Sequence, residues 1–394
     1  MGFFKDFSLK KVTLSHYKNL IDCNLEINDF SILVGANNSG KSNFIELFTI
    51  LNNIFYGGEK GREYAAKKML FCDEPTTVTF EYEATEKEEI IKAEYKIIFI
   101  SQKEEKEYNI KILFESLYFK SISSTGNPKK LFLRDNKKLT LRVKNGIFKK
   151  RIINDQIPVF DVLKSLYPQP DDLPDEYNII LPLLFFVSPA IISAHKMSSN
   201  YNEEIEELFG NLYSLQKQND ESFITFKKYF LDILELDDII FKEHFLEGEK
   251  KQEPIYFCTI KERNKNNLKL IEYMSDGTKI LFLLLYHIFL DELSLLCIEE
   301  PEIGLHPKAL SKLLQLFFNK EVSAQAIITT HSPYLIKLVN PQNVFVLEAK
   351  ENSMYSFTKV STIKDLKKRL KSKYVDFGDL FVENFKTDID TSLD

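Results

Sequence analysis

The chain has 394 residues, 44% hydrophobic and 28% charged, with a formal net charge of −6. That length can bury a sizeable core spread over two or three lobes, and the composition is that of a soluble globular protein. The acidic balance excludes wholesale wrapping by nucleic acid but leaves room for a local basic site.

The most apolar runs are Ile179–Ile192, broken by Pro182, Ser188 and Pro189, and Ile280–Leu290, which contains His287. Both fall short of the roughly 20 residues that span a bilayer, so they read as core and no membrane partner is expected. No N-terminal stretch has the pattern of a signal peptide. Cys23, Cys72, Cys258 and Cys297 are scattered without a CxxC pair or a Cys/His cluster. Neither a zinc site nor a disulfide framework is expected, and a reducing cytoplasm is the expected location.

Residues 8–34 read as strand, turn, strand, ending in the buried run Phe30-Ser-Ile-Leu-Val34; a helix is expected over Asn43–Phe55, with Phe44, Leu47, Phe48 and Leu51 on one face. Between them Gly35-Ala36-Asn37-Asn38-Ser39-Gly40-Lys41-Ser42, followed by Asn43, matches GxxxxGK[ST]. Two glycines let the backbone wrap so that successive N–H groups face phosphate oxygens, and the helix N-terminus adds positive potential. Lys41 is expected to reach the β- and γ-phosphates and the Ser42 hydroxyl to bind Mg²⁺.

From Thr76 to Ile153 short alternating segments separated by turn residues predict an antiparallel sheet. Within it, Lys129–Arg151 holds ten basic residues (Lys129, Lys130, Arg134, Lys137, Lys138, Arg142, Lys144, Lys149, Lys150 and Arg151), one acid, Asp135, and the aromatics Phe132 and Phe148. Such a surface could bind DNA backbone; a solvated sheet face is the alternative. Residues 155–245 have mostly helical periodicity, with Pro-rich connections at 167–170 and 172–174 and helices expected at Asn202–Leu208 and Phe226–Leu236. Residues 253–273 return to strand-like alternation.

From Met274 the rhythm is helix, strand (Leu295–Ile298), helix (Lys308–Phe318), strand (Ala326–Thr330), helix, strand (Val344–Leu347), which predicts a parallel sheet. The run Cys297-Ile298-Glu299-Glu300-Pro301 resembles a Walker B strand end. Glu299 stands where Mg²⁺ is held, directly or through water, and Glu300 where a general base orients the attacking water. Asp is the commoner residue at the Glu299 position. Another apolar strand ends at His331, whose imidazole can bond the γ-phosphate or the water. Ser275, Asp276, Gly277 and Thr278 precede an apolar helix; they could form a second phosphate device or an ordinary N-cap. As the first cradle is already complete, the second would serve a nucleotide held by another subunit.

Taken in order, LKKVTLSHYKNL, GANNSGKSNFIELF, MSDGTKILFLLL, IEEPEIGLHP, ITTHSPYLI and VDFGDLF resemble an ABC-type ATPase head of the RecF/SMC/OLD-like group. More narrowly they resemble its stand-alone bacterial "AAA family" ATPases. The motifs span almost the whole chain. The resemblance implies an α/β P-loop NTPase with a parallel core sheet, an antiparallel β subdomain and an inserted helical lobe. It divides the chain into 1–154 (Walker A lobe and β subdomain), 155–252 (helical insert) and 253–394 (signature, Walker B and switch histidine). It implies an ATP-dependent homodimer in which Ser275 to Thr278 act in trans, Glu302, Gly304 and His306 form the dimer-communication loop, and His331 is the switch. Lys18, in Tyr17-Lys18-Asn19, falls where the group has a basic residue near the nucleotide; Tyr17 replaces the usual Phe. No glutamine for a Q-loop occurs within Asn52–Phe71.

Glu348-Ala-Lys-Glu351 lacks the glycine of a TOPRIM strand end, and Asp388-Ile-Asp390 lies at the tail, so no nuclease in cis is expected. The absence of long heptad runs argues against SMC-like tethering. Three functions remain: an ATP-gated sensor or regulator of a separate effector in antiphage defence, favoured by the stand-alone resemblance; a RecF-like DNA-repair ATPase; and a nucleotide-dependent scaffold with incidental turnover.

Overall fold

The computed structural model describes residues 7–70, 72, 74–86, 89–104, 107–142, 148–166, 190–193, 197–245, 254–265, 267–291, 295–349 and 355–359. They divide into two compact units, one running to the helix Val159–Leu166 and resuming at Asn340, the other beginning at Ala190 and running to Val339. Among them no helix is long and apolar enough to cross a membrane.

The first unit starts with β1 (Phe7–Ser15), β2 (Cys23–Glu26) and β3 (Phe30–Val34), followed by the helix Lys41–Tyr56 and a second helix, Gly58–Lys68. Then come β4 (Thr76–Glu86), β5 (Glu89–Glu104), β6 (Glu107–Ser121), β7 (Lys129–Asp135), β8 (Lys138–Arg142) and β9 (Phe148–Ile152). With β1 and β2 they form the expected antiparallel sheet, in the order β2-β1-β4-β5-β6-β7-β8-β9. Its hydrophobic face packs on the helix Lys41–Tyr56, where Phe48 lies 6.2 Å from Phe80 and Phe55 lies 6.1 Å from Tyr95.

The basic stretch requires a correction. Arg134 is not on a surface: it is fully buried, its Nη1 3.5 Å from a Glu115 carboxylate that is buried with it. Alternation places Phe132 and Arg134 on one face of β7, paired with Leu141 and Leu139 of β8, and Phe132 is buried too. The expected DNA surface therefore loses the first of its three arginines and the nearby Phe132, while Lys129, Lys137 and Lys138 remain exposed. Lys144 lies outside the described residues.

In the second unit the parallel sheet is built from β10 (Ala190–Ser193), β14 (Leu295–Glu299) and β15 (Gln325–Thr329). In register, Ser193 and Thr329 both face Glu299. β10 falls inside the stretch read as helical. So does β11 (Leu236–His244), which joins β12 (Ile255–Glu262) and β13 (Leu268–Leu270) in an antiparallel sheet. The helix expected at Phe226–Leu236 runs Glu221–Leu234 instead, stopped by Glu235 in the left-handed region at φ 57°. The helix Asp276–Phe289 is anchored in an aromatic cluster around Phe282, whose ring lies 5.4 Å from Phe226, 5.8 Å from Phe230 and 6.3 Å from Phe241. This cluster packs the helix Glu221–Leu234 and β11 against the element that carries Ser275 to Thr278 at its start.

The expected last core strand is β16 (Val344–Ala349) of the first unit, parallel to β3 and followed by an antiparallel β17 (Tyr355–Lys359). The Pro-rich connections, the 364–373 basic run and VDFGDLF lie outside the described residues.

Candidate functional site

Two clusters of predicted residues form, one in each unit. In the first, β3 is buried at every position and delivers the chain into the Gly35–Ser42 loop, and the helix starts at Lys41. A Cβ at Gly35 would lie 2.8 Å from Ser39 Oγ and 3.2 Å from the Leu347 carbonyl oxygen, so β16 sets that glycine. Gly40 has φ 106°, and a Cβ there would meet Asn19 Oδ1 and Leu20 Cδ2 at 2.7 Å. Lys41 is buried and donates from Nζ to the carbonyl oxygens of Gly35 and Ala36, both at 2.9 Å. Its ammonium thus lies inside the loop that the motif makes a phosphate cradle. Ala36, Asn37, Asn38 and Ser42 are exposed, and Asn43 is half-buried in the first turn.

The residues before β2 support this loop. Tyr17 and Leu20 close a tight turn through reciprocal hydrogen bonds of 3.0 and 2.8 Å, with Lys18 and Asn19 at its tip. Asn19 Nδ2 donates to the Asn38 carbonyl at 2.9 Å, and Asn43 Nδ2 donates to Asn19 Oδ1 at 2.7 Å. One side chain therefore links the middle of the phosphate loop to the first turn of the helix after it, a role that position in YKN hinted at but spacing did not specify. Lys18 Nζ instead bonds Glu46 on the helix, over the Tyr17 ring. Burial, with Glu46 nearby, pushes the Tyr17 hydroxyl far above its ordinary range, so it stays neutral.

In the second unit, Glu299 ends β14, buried, and burial followed by its charge pushes the neighbouring Cys297 thiol up. Glu300 has left-handed geometry at φ 47°, with its N–H bonded to the Thr329 carbonyl at 2.9 Å. That conformation costs a non-glycine residue about 1–2 kcal/mol, and such strain concentrates at functional sites. His331, just past β15, brings Nε2 to 3.6 Å from Glu300 Oε1. At that separation both groups can reach one water molecule.

The 3₁₀ turn Pro301–Ile303 follows, and the Glu302 carboxylate points into the protein's own Thr330–Ser332 turn. A Cβ on Gly277 would collide with the Gly304 carbonyl oxygen, so these two loops touch backbone to backbone within one chain. Ser275 caps the helix Asp276–Phe289 by accepting from the Thr278 N–H at 3.3 Å, with the Thr278 hydroxyl 3.0 Å away. Asp276 is exposed, and so is His306, whose Nδ1 accepts from the Lys308 N–H at the start of the helix Pro307–Phe318. Tyr273, 81% exposed, and Ile303 flank this surface.

Each unit by itself carries an oxygen donor of the kind Mg²⁺ takes. Ser42 offers an exposed hydroxyl and Glu299 a carboxylate, and beside Glu299 the buried Thr329 Oγ1 has no hydrogen-bond partner among the described residues.

A family model described as "AAA domain, putative AbiEii toxin, Type IV TA system" matches residues 30–337 of the chain. Comparison with curated proteins returns no match. Among solved structures the chain is similar to an Smc head bound to the C-winged helix domain of ScpA, at 13% identity and TM-score 0.49, over 89% of this chain and 97% of that one. It is also similar to the SMC head domain from Thermotoga maritima, at 13% identity and TM-score 0.45, over 89% and 98%. A third is an Smc head with an extended coiled coil bound to the C-terminal domain of ScpA, derived from Pyrococcus furiosus, at 12% identity and TM-score 0.47, over 93% and 100%.

Proposed function

The chain belongs to this AAA-domain family, matched over residues 30–337, and from that premise we propose that it binds Mg-ATP and hydrolyses it to ADP and phosphate as a nucleotide-linked homodimer. The observation that carries the reading is the phosphate loop, whose Lys41 ammonium is held on the Gly35 and Ala36 carbonyls. An ATP phosphate chain would take over that ammonium and the loop N–H groups. Ser42 and Glu299 would hold Mg²⁺, whose contribution when bound is to neutralise phosphate charge. Glu300 accepts a proton from the attacking water, and His331 donates a hydrogen bond to the same reacting centre. The Ser275-Asp276-Gly277-Thr278 turn, in which the Thr278 N–H is taken by Ser275, presents its remaining N–H groups to the nucleotide of a second copy, and the exposed Tyr273 and Ile303 flank the face that meets it.

A mass measurement in solution tests this. Glu300→Gln is expected to double in mass on adding Mg-ATP, and Lys41→Ala to show no response. Equal masses with and without ATP in both variants would remove the ATP-gated dimer.

The role served by turnover is regulation of a separately encoded effector in antiphage defence. The motif set of stand-alone ATPases supports it. Deleting the gene from its native host is then expected to raise the titre of at least one phage in a broad panel. Unchanged titres across the panel would count against the defence role and leave the ATPase reading standing.

A further inference from the structure

We propose that Glu302 is the positioning residue for His331, acting within its own subunit; this rests on the hydrolytic reading above. One oxygen, Oε1, accepts three hydrogen bonds from the turn that carries His331. They come from the Thr330 hydroxyl at 2.6 Å, the His331 N–H at 2.9 Å and the Ser332 N–H at 3.2 Å. All three donors lie on three consecutive residues, so one acceptor oxygen fixes the whole turn.

The geometry of the turn explains why these bonds matter for the chemistry. Glu302 belongs to the 3₁₀ turn that begins immediately after Glu300, closed by the Ile303 N–H on the Glu300 carbonyl at 3.1 Å and the Leu305 N–H on the Pro301 carbonyl at 2.9 Å. Its carboxylate therefore bolts the Glu300 turn to the His331 turn. The Thr330 hydroxyl, while donating to Glu302, accepts from the Ser332 N–H at 2.9 Å, so its proton direction is set as well. Ser332 in turn caps the short helix Pro333–Lys337. The backbone bond from Glu300 N–H to Thr329 fixes the two strand ends; Glu302 fixes the residues just beyond them. Together they set the 3.6 Å between His331 Nε2 and Glu300 Oε1. The second oxygen, Oε2, is buried without a hydrogen-bond partner among the described residues, which is tolerated because the three donors to Oε1 offset its desolvation.

The acceptor, not the charge, does the positioning, and this separates three substitutions. Glu302→Ala removes it, Glu302→Asp keeps the charge but withdraws it by one methylene, and Glu302→Gln keeps an acceptor oxygen in place. Displacing a reacting group by about an ångström can cost roughly a hundredfold. Glu302→Ala and Glu302→Asp are therefore expected to lower kcat for Mg-ATP about a hundredfold, with nucleotide Kd changed less than about twofold. Glu302→Gln is expected to stay within about threefold of wild type. The decisive measurement is the double mutant: Glu302→Ala/His331→Ala should turn over no more slowly than His331→Ala, because the two act as one unit. Multiplicative losses, or Glu302→Gln as slow as Glu302→Asp, would overturn the assignment. If Glu302→Ala does not fold, the Asp and Gln variants in the presence and absence of His331 complete the same cycle. Wild-type protein without turnover, or a His331→Ala variant of normal rate, would instead overturn the hydrolytic reading on which the assignment stands.

Discussion

ATP turnover by Glu300→Gln is expected to fall by about a hundredfold to ten-thousandfold, the range for loss of a positioned general base, while nucleotide binding survives. Glutamine has nearly the same shape, so the left-handed turn at φ 47° and the bond from residue 300 to the Thr329 carbonyl should persist. What is lost is the anionic oxygen that accepts the proton of the attacking water. The phosphate loop belongs to β3 and the helix Lys41–Tyr56, and its Lys41 ammonium is held by the loop's own Gly35 and Ala36 carbonyls. Affinity should therefore stay within a few-fold, and this variant is the one in which ATP remains uncleaved. Steady-state phosphate release and an equilibrium nucleotide titration measure the two quantities separately. A rate above roughly a tenth of wild type would mean that the base is elsewhere.

Arg134→Ala should destabilise the first unit by about 3–5 kcal/mol, the loss expected when one member of a buried ion pair is removed. The guanidinium serves more than Glu115. It donates to the Asn136 carbonyl at 3.0 Å, to Ile157 at 2.6 Å and to Asn154 at 2.9 Å. Glu115 in turn accepts the Tyr95 hydroxyl at 3.0 Å and the Val159 N–H at 2.9 Å. Burial pushes the Glu115 carboxyl up, and Arg134 is the main influence pulling it back. Alanine would strand the fully buried Glu115 carboxyl and remove the donor to the Asn136, Asn154 and Ile157 carbonyls. Urea denaturation followed by circular dichroism and tyrosine emission reads the change, since the chain has no tryptophan. Replacing both partners, as Arg134→Met with Glu115→Leu, should recover part of the loss. An unchanged midpoint in Arg134→Ala would show that the network contributes nothing to stability.

The two predictions differ in how much of their basis could be read in one dimension. The phosphate loop was legible because its chemistry is local. GxxxxGK[ST] between an apolar strand and an amphipathic helix specifies a backbone path, and the path specifies where N–H groups point. The carboxylate and histidine positions were legible for a similar reason: each ends a short apolar strand, and β14 and β15 are parallel neighbours with Glu299 opposite Thr329. The helices Lys41–Tyr56 and Pro307–Phe318 came within two residues of expectation, whereas the one expected at Asn202–Leu208 runs Met197–Gln218, ten residues further at its C-terminal end. β10 and β11 did not show, because an apolar run of a few residues fits a buried strand and a helical face equally well, and only the neighbour it pairs with decides.

Arg134 shows the limit most clearly. In Leu131-Phe132-Leu133-Arg134 both faces of the strand carry apolar residues, so alternation could not say which face is inside, and ten basic residues nearby suggested a surface. The partner that draws Arg134 inward is Glu115, one strand away in the sheet and 19 positions earlier in the chain. The same holds for Asn19 and the phosphate loop, and for Glu302 and the His331 turn, 28 residues downstream of it. By itself, then, the sequence determined the family motifs, the phosphate chemistry and the residues able to move a proton, because those depend on residue type at short spacing. Tertiary structure alone decided which charged groups are buried, which side chain clamps the loop and which carboxylate holds the histidine, because a hydrogen bond of about 3 Å between distant residues leaves no periodic trace in the chain.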